Sequence, residues 1–307
     1  MPRVLITGAG GFIGWYATRA LAQAGFDVHA SALVRPDDFH PGITFHPYDL
    51  LAVGSAEDLI AAAKPSHLLH LAWNAQPGAF WKAPDNLDWV GASLRLYRAF
   101  VAAGGKRIVV AGSCAEYDWS HALLSEHTTP LNPHTLYGTC KHALHTMVGA
   151  AAKLDGISLA WGRVFWLYGP REQPGRLVSD LARKLLDGCE AQCTEGSQRR
   201  DFMHVEDVAR AFVQLLASDR EGPVNIASGT ATPVAEVVSL VAGLIGRGDL
   251  VRMGALHSAP DDPPELVADV TTLHDVLGFR PRYSLQDGLE DTVTWLRTRA
   301  SGLPRNP

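Results

Sequence analysis

The chain has 307 residues, 47% apolar and 19% charged, with a formal net charge of −5. That is an ordinary soluble globular composition with room for one large or two modest domains, and its net field gives no reason to expect nucleic acid as a partner. No apolar run reaches the ~20 residues of a membrane span, so no membrane is expected. The four cysteines, Cys114, Cys140, Cys189 and Cys193, lack paired metal spacing and read as reduced thiols of a cytoplasmic protein. The first strand opens at once, which leaves no room for a signal peptide.

Val4, Leu5 and Ile6 form a short apolar run suited to a buried parallel strand. Gly8, Gly11 and Gly14 follow at three-residue spacing, and Ile13, Ala17, Ala20, Leu21 and Ala24 then make an apolar stripe of helical period that stops at Gly25. A glycine turn between a buried strand and a helix suits a diphosphate. Gly8 allows the tight turn, Gly11 the close approach of the phosphates and Gly14 the packing of helix on strand. The free N–H groups at the helix start, around Phe12 and Ile13, face the anion. The bland alternative is a glycine-rich loop that binds nothing.

Asp27 to Ser31 reads as a second strand, followed by Ala32 and Arg35. Tyr48-Asp49-Leu50 lies beyond a third. Leu68 to Ala72 is another buried strand with Leu71 and Ala72 at its carboxyl end, where ligands sit in an open parallel sheet. His70 reads as a strand residue. Trp73, Phe80, Trp81 and Trp89 cluster in the next stretch and suit either a pocket wall or the packing of a long loop. Arg107 to Ser113 is the next strand. Tyr137 and Lys141 are four apart and share one helix face.

Several segments follow the pattern of one family in order: Thr7-Gly8-x-x-Gly11-x-x-Gly14, Asp49-Leu50, Ser113-x-x-x-Tyr117, Tyr137-x-x-x-Lys141, Arg163 through Tyr168-Gly-Pro, Arg200-Asp-Phe-Met-His-Val-Glu-Asp207, Asn225 to Gly229 and Leu277 to Gly288. The chain resembles the extended short-chain dehydrogenase/reductase family of nucleotide-sugar epimerases, dehydratases and ketoreductases over nearly its whole length. The resemblance implies an α/β fold, a doubly wound parallel (Rossmann) sheet over residues 1–165. Residues 166–307 would form mostly a smaller substrate-binding domain, with some segments returning to the sheet.

It also implies roles. The cofactor would lie on Gly8, Gly11, Phe12, Ile13, Gly14, Asp49, Leu50, Leu71 and Ala72. The family's acidic residue after the second strand is replaced by Ala32, with Arg35 nearby, which favours NADP, NAD being the alternative. Ser113, Tyr137 and Lys141 would be catalytic, Lys141 lowering the phenol pKa of Tyr137 and holding the cofactor ribose. The nucleotide sugar would meet Trp73, Ser113, Trp166, Arg171 and Arg200, with Arg200 on the diphosphate. Trp166 stands where the family has an Asn, which departs from the usual pose of a UDP-sugar.

Further departures narrow the reaction. Dehydratases carry Asp-Glu directly after the Ser/Thr, where this chain has Cys114 and Ala115. The leading expectation is NADP-dependent reduction of a nucleotide 4-keto-deoxysugar. A nucleotide-sugar 4-epimerase is the alternative, and a non-catalytic dinucleotide sensor is more remote. His142 and His145 read as surface or packing histidines, and no metal site is expected. A homodimer through Leu94 to Ala102 and His142 to Ala152 is expected by resemblance, with Leu94, Leu144 and Val148 as its core.

Overall fold

The computed structural model describes residues 1–259 and 262–300. β1 (Arg3–Thr7) runs into α1 (Phe12–Gln23), followed by β2 (Asp27–Ala32), β3 (Thr44–Pro47), α2 (Ser55–Ala63), β4 (His67–His70), α3 (Asn86–Ala102) and β5 (Arg107–Ser113). Next come β6 (Leu123–Leu124), α4 (Leu136–Asp155), β7 (Ser158–Val164), β8 (Trp166–Tyr168), α5 (Leu177–Leu186), β9 (Ala191–Gln192), β10 (Arg199–His204) and α6 (Val205–Ala217). β11 (Gly222–Ile226), β12 (Ala231–Pro233), α7 (Val234–Ile245), β13 (Val251–Arg252), β14 (Glu265–Ala268) and α8 (Leu285–Ala300) complete the order.

The principal sheet has seven parallel strands in the order β11-β7-β5-β4-β1-β2-β3. The chain builds outward from β1 to β3 and then restarts on the other side with β4. A crevice therefore opens at the carboxyl ends of β1 and β4, the switch point of a doubly wound sheet. Both faces are covered. Trp15, Ala17 and Leu21 of α1 pack with Phe212, Leu215 and Leu216 of α6 on one face, and α2, α3 and α4 bury Leu59, Leu96, Phe100, Leu144 and Val148 on the other. Burial on both faces is why β5 reads as an unbroken apolar run with every residue buried.

A second sheet runs β12-β10-β14-β6, with β8 paired to β10. The chain passes between the sheets at Phe165: β7 ends in the first sheet, and Trp166 begins β8 in the second, opposite Phe202. α5, α7 and α8 build a separate core on the second sheet around Leu181, Val237, Val241, Leu289 and Val293. β11 then returns to the edge of the first sheet. Among the described residues no helix is long and apolar enough to cross a membrane.

The expected dimer core needs correction. Leu144 and Val148 are 1% and 3% exposed within the single chain, packed under the sheet with Leu96 and Trp161. The helical period that makes them one apolar stripe serves the chain's own core. The outward face of α4 instead presents Met147 and Leu154.

Gly162 shows how tightly the returning segment is fitted. A Cβ added there would lie 2.4 Å from Phe212 of α6 and 3.2 Å from Ile226 of β11. Gly162→Ala should therefore lower unfolding free energy by about 1–3 kcal/mol, the scale of overpacking a filled core. Urea unfolding checks this, and a loss below ~0.5 kcal/mol would show that α6 yields freely.

Candidate active site

The glycine turn closes on itself and on β4. Gly8 has φ +69°, and a Cβ there would lie 2.7 Å from the Ala72 backbone nitrogen. A Cβ at Gly14 would lie 2.1 Å from the Gly8 carbonyl oxygen. Gly11 N–H donates to Gly8 O at 2.9 Å, and α1 starts without a side-chain cap or an acidic residue in its first turn. The N–H groups of Phe12 and Ile13 are thus left for an anion at the positive end of the helix. Leu71 and Ala72 hydrogen-bond Thr7 at 3.3 and 3.4 Å, which sets β4 beside the turn. The residues fit a dinucleotide here: an uncapped helix start and backbone bared by glycine at the switch point.

Ala32 ends β2 and lies 3.4 Å from where a Gly10 Cβ would be. The loop after β2 therefore borders the turn, with Arg35 exposed on it. Leu50 is buried in the core, and Asp49 is exposed, its Oδ1 accepting Leu51 N–H at 3.0 Å. His70 is locked between Thr7 Oγ1 at 2.7 Å and Ser93 Oγ at 2.9 Å. Burial, helped by Lys141, holds its pKa down at about 3, so it stays a neutral strand residue.

Three elements assemble the reactive cluster. β5 delivers Ser113, which caps the following 3₁₀ turn, Cys114–Glu116. α4 delivers Tyr137 and Lys141 one turn apart, its start capped by Thr135 Oγ1 on Gly138 N–H at 3.0 Å. Ser113 acts on the Tyr137 phenol and favours its charged form. Lys141 Nζ donates to Ala111 O of β5 at 2.8 Å and lies 3.8 Å from the Trp73 ring centre.

The electrostatics differ from the expectation. Burial raises the Tyr137 phenol above its ordinary value, while Ser113 and the Arg176 guanidinium oppose the rise. Lys141, expected to lower it, is 5.9 Å from the phenol ring centre and points its ammonium at Ala111 O and Trp73. Lys141 itself is pulled down to about 7 by burial, with Glu116 opposing.

Aromatic rings line the cluster. Tyr137 meets Phe80, Trp81 and Trp73 edge-on at centroid distances of 4.9, 5.8 and 6.3 Å. Trp119 continues the series at 6.0 Å from Trp81 and 6.5 Å from Trp166. The Arg200 guanidinium lies 5.2 Å from the Trp166 ring centre and pairs with Asp262 at 2.5 Å. A run of ring contacts therefore links Trp73, through Tyr137, Trp81 and Trp119, to Trp166 and Arg200.

Arg171 does not join them. Its backbone turns at φ +74°, and the guanidinium lies 3.9 Å from the Trp15 ring centre on α1 and pairs with Asp38. Arg176 stands nearer the chemistry instead, 5.0 Å from the Phe80 ring centre with Nη2 donating to Ala75 O at 3.0 Å. It precedes α5 in no recognisable motif, so the sequence carries no signal for it.

His142 and His145 come within 4.8 Å of Glu116, counted between potential ligand atoms. Arg163, however, already donates to Glu116 Oε2 at 3.1 Å and to His145 Nδ1 at 3.3 Å, so a guanidinium serves the atoms a cation would need.

A doubly wound sheet, a glycine turn at its switch point and a Ser–Tyr–Lys cluster beside that turn define a dinucleotide-dependent oxidoreductase fold. The chain belongs to the NAD dependent epimerase/dehydratase family, whose model matches residues 4–227, and whose members act on nucleotide sugars. It is similar to MoeE5, solved with UDP-glucuronic acid and NAD, at 33% identity over 97% of this chain and 99% of that one, TM-score 0.83. It is also similar to the UDP-glucose 4-epimerase of Thermus thermophilus solved with NAD, at 26% identity over 96% and 99%, TM-score 0.85. UDP-glucuronic acid decarboxylase 1 of Xenopus tropicalis is 27% identical over 96% of this chain and 72% of its own length.

The depressed Lys141 yields a test on the ligand-free protein. Its folded pKa lies below the ~10.4 of an exposed lysine, so between the two the unfolded chain binds more protons and stability rises with pH. Lys141→Met should therefore raise Tm below pH 7, with the gain shrinking steadily towards pH 10. A difference in Tm that stays constant across that range would mean the ammonium is not desolvated.

Proposed function

We propose that the protein is a 4-epimerase of a nucleotide-linked hexose or hexuronic acid. The observation that carries this reading is the pairing of an intact Ser113–Tyr137–Lys141 cluster with inert neighbours. Cys114 is buried and its thiol is pushed up to about 12 by that burial, and Ala115 has no titratable group. No acid–base pair stands there to remove water from the sugar, which speaks against dehydration and favours oxidation and reduction at the carbinol carbon. Bound NAD(P) supplies hydride acceptance and return at that carbon. Tyr137 takes the proton of the C4 hydroxyl and later gives it back, Ser113 holds the same oxygen as its charge develops, and Lys141, held on Ala111 O, keeps the helix of Tyr137 against β5.

Arg200, buried on β10, is the reading's diphosphate anchor, and the indoles from Trp73 to Trp166 provide apolar contact for the sugar face. Arg176 is the cation that acts on Tyr137. A guanidinium beside the reacting carbon suits a carboxylate at C5, in keeping with relatives that bind or act on UDP-glucuronic acid. A second reading, an NADP-dependent 4-ketoreductase, is favoured by one feature: Ala32 ends β2 without a carboxylate, and exposed Arg35 borders the turn. For assembly, we propose a homodimer through the outward faces of α3 and α4.

Cofactor balance separates the readings. With UDP-glucose or UDP-glucuronic acid, the enzyme should form the 4-epimer with no net NADH or NADPH. Tyr137→Phe should lower kcat by about 10²–10⁴-fold, the span of general acid–base catalysis. Stoichiometric NADPH consumption with a 4-keto sugar would establish the reductase instead.

The two arginines should separate by substrate. Arg200→Ala should raise KM for both UDP-sugars alike, by roughly ten- to a hundredfold for a lost charged contact of ~1.5–3 kcal/mol. Arg176→Ala should raise KM about tenfold more for UDP-glucuronic acid than for UDP-glucose. Equal effects of Arg176→Ala on the two would remove the carboxylate role.

A further inference from the structure

An ion pair is buried beneath the reactive cluster, where the fold itself does not call for charge. Glu116, at the end of the 3₁₀ turn after β5, is 0% exposed. Its Oε1 accepts Ser113 N–H and Trp161 Nε1–H, both at 2.8 Å, and its Oε2 accepts Arg163 Nε–H at 3.1 Å. Arg163, also buried, donates through Nη1 to Tyr117 Oη at 3.1 Å. That phenol in turn donates to Asn225 Oδ1 of β11 at 2.7 Å. Gly112 makes room: a Cβ there would lie 2.5 Å from Glu116 Oε1 and 2.1 Å from Trp161 Nε1.

Stability does not explain such a pair. The cost of desolvating two charges rivals their attraction, and well-packed apolar residues serve as well or better. What distinguishes this one is its attachment. The three-residue strand end that it clamps serves the catalytic helix twice: Ala111 O holds Lys141 Nζ, and Ser113, whose N–H is bound by Glu116, acts on the Tyr137 phenol.

We propose that Glu116 is a positioning residue of this active site: held by Arg163, its carboxylate fixes the end of β5 so that Ser113 faces Tyr137 and the Ala111 carbonyl faces Lys141. The inference rests on the oxidoreductase reading of that cluster. The charged and titratable groups around Glu116 are Arg163 on β7, Tyr137, Lys141, His142 and His145 on α4, and Cys114 and Tyr117 beside it. His145 is held at about 4 by burial, so it stays neutral at pH 7. Glu116 is also the carboxylate that opposes the fall in Lys141's proton affinity.

Two variants test this: Glu116→Gln, which keeps the shape and removes the charge, and the double Glu116→Leu with Arg163→Met, which replaces the pair by apolar groups. Melting temperature, NAD affinity, kcat and KM are measured for both. The Lys141 titration is followed by NMR on lysine labelled with ¹⁵N at Nζ, assigned by the signal lost in Lys141→Met. The double variant should match wild type in melting temperature and NAD affinity. Both variants should lose on the order of ten- to a hundredfold in kcat, the scale of a misplaced catalytic group, with KM within about twofold. Lys141 should titrate at lower pH in Glu116→Gln. Wild-type kcat in the double variant, or an unmoved Lys141 midpoint in Glu116→Gln, overturns the proposal. Absence of turnover by the wild type on any nucleotide sugar would instead overturn the epimerase reading, and the Lys141 midpoint alone would then decide the role of Glu116.

Discussion

The constraint that organises the molecule is the approach of the glycine turn to the backbone just beyond β4. Gly8 faces the Ala72 nitrogen, and Gly14 faces the Gly8 carbonyl, at distances that no Cβ could occupy. This contact seats α1 against the sheet and opens the crevice between β1 and β4. It also sets an uncapped helix start where a diphosphate would lie. Everything that follows is hung from the carboxyl edge of the same sheet. β4 leads to Trp73, β5 to Ser113, and β7 passes the chain across to Trp166 and Arg200 in the second sheet.

At that edge, charge is placed where burial opposes it. Lys141, Arg163, Glu116 and Arg200 are all buried, and each meets a definite partner: a backbone carbonyl, a carboxylate, a guanidinium or an indole face. Desolvation pulls Lys141 down and pushes Tyr137 up, the reverse of what proton abstraction by the phenol needs. The ligand-free chain therefore stores Tyr137 as the neutral phenol. Ser113 and Arg176 are the groups that act against this, and neither lies on the helix that carries the phenol. A positive ring brought close by the cofactor would act in the same direction, because it favours the phenolate.

The indoles give the pocket its other character. Trp73 is both a face for the Lys141 ammonium and a neighbour of Tyr137, with its own N–H satisfied by Asn86 Oδ1 at 2.8 Å. Trp166 gives its ring face to the Arg200 guanidinium. These rings give the cluster a broad apolar wall.

The amino-acid sequence by itself determined the parts that depend on backbone period and local spacing. These are the strand–glycine turn–helix at the amino end, the buried run of β5 ending in Ser113, the one-turn separation of Tyr137 and Lys141, and the order of motifs that places Arg200 in the second unit. The first three follow from backbone period, or from glycine where a side chain cannot fit, and the place of Arg200 follows from the family resemblance. Tertiary structure alone decided where the charges point. Arg171 and Arg176 are five residues apart in one loop, yet the first turns to α1 and the second to Phe80. Glu116 and Arg163 are separated by 47 positions, and only the pairing of β5 with β7 makes them a buried pair. Leu144 and Val148 form an apolar stripe that fits an interface between subunits as well as the interior, and only packing against the sheet assigns them to the interior. Spacing sets which side chains share a face; the direction of a charge and the fate of an apolar face depend on what distant segments bring to it.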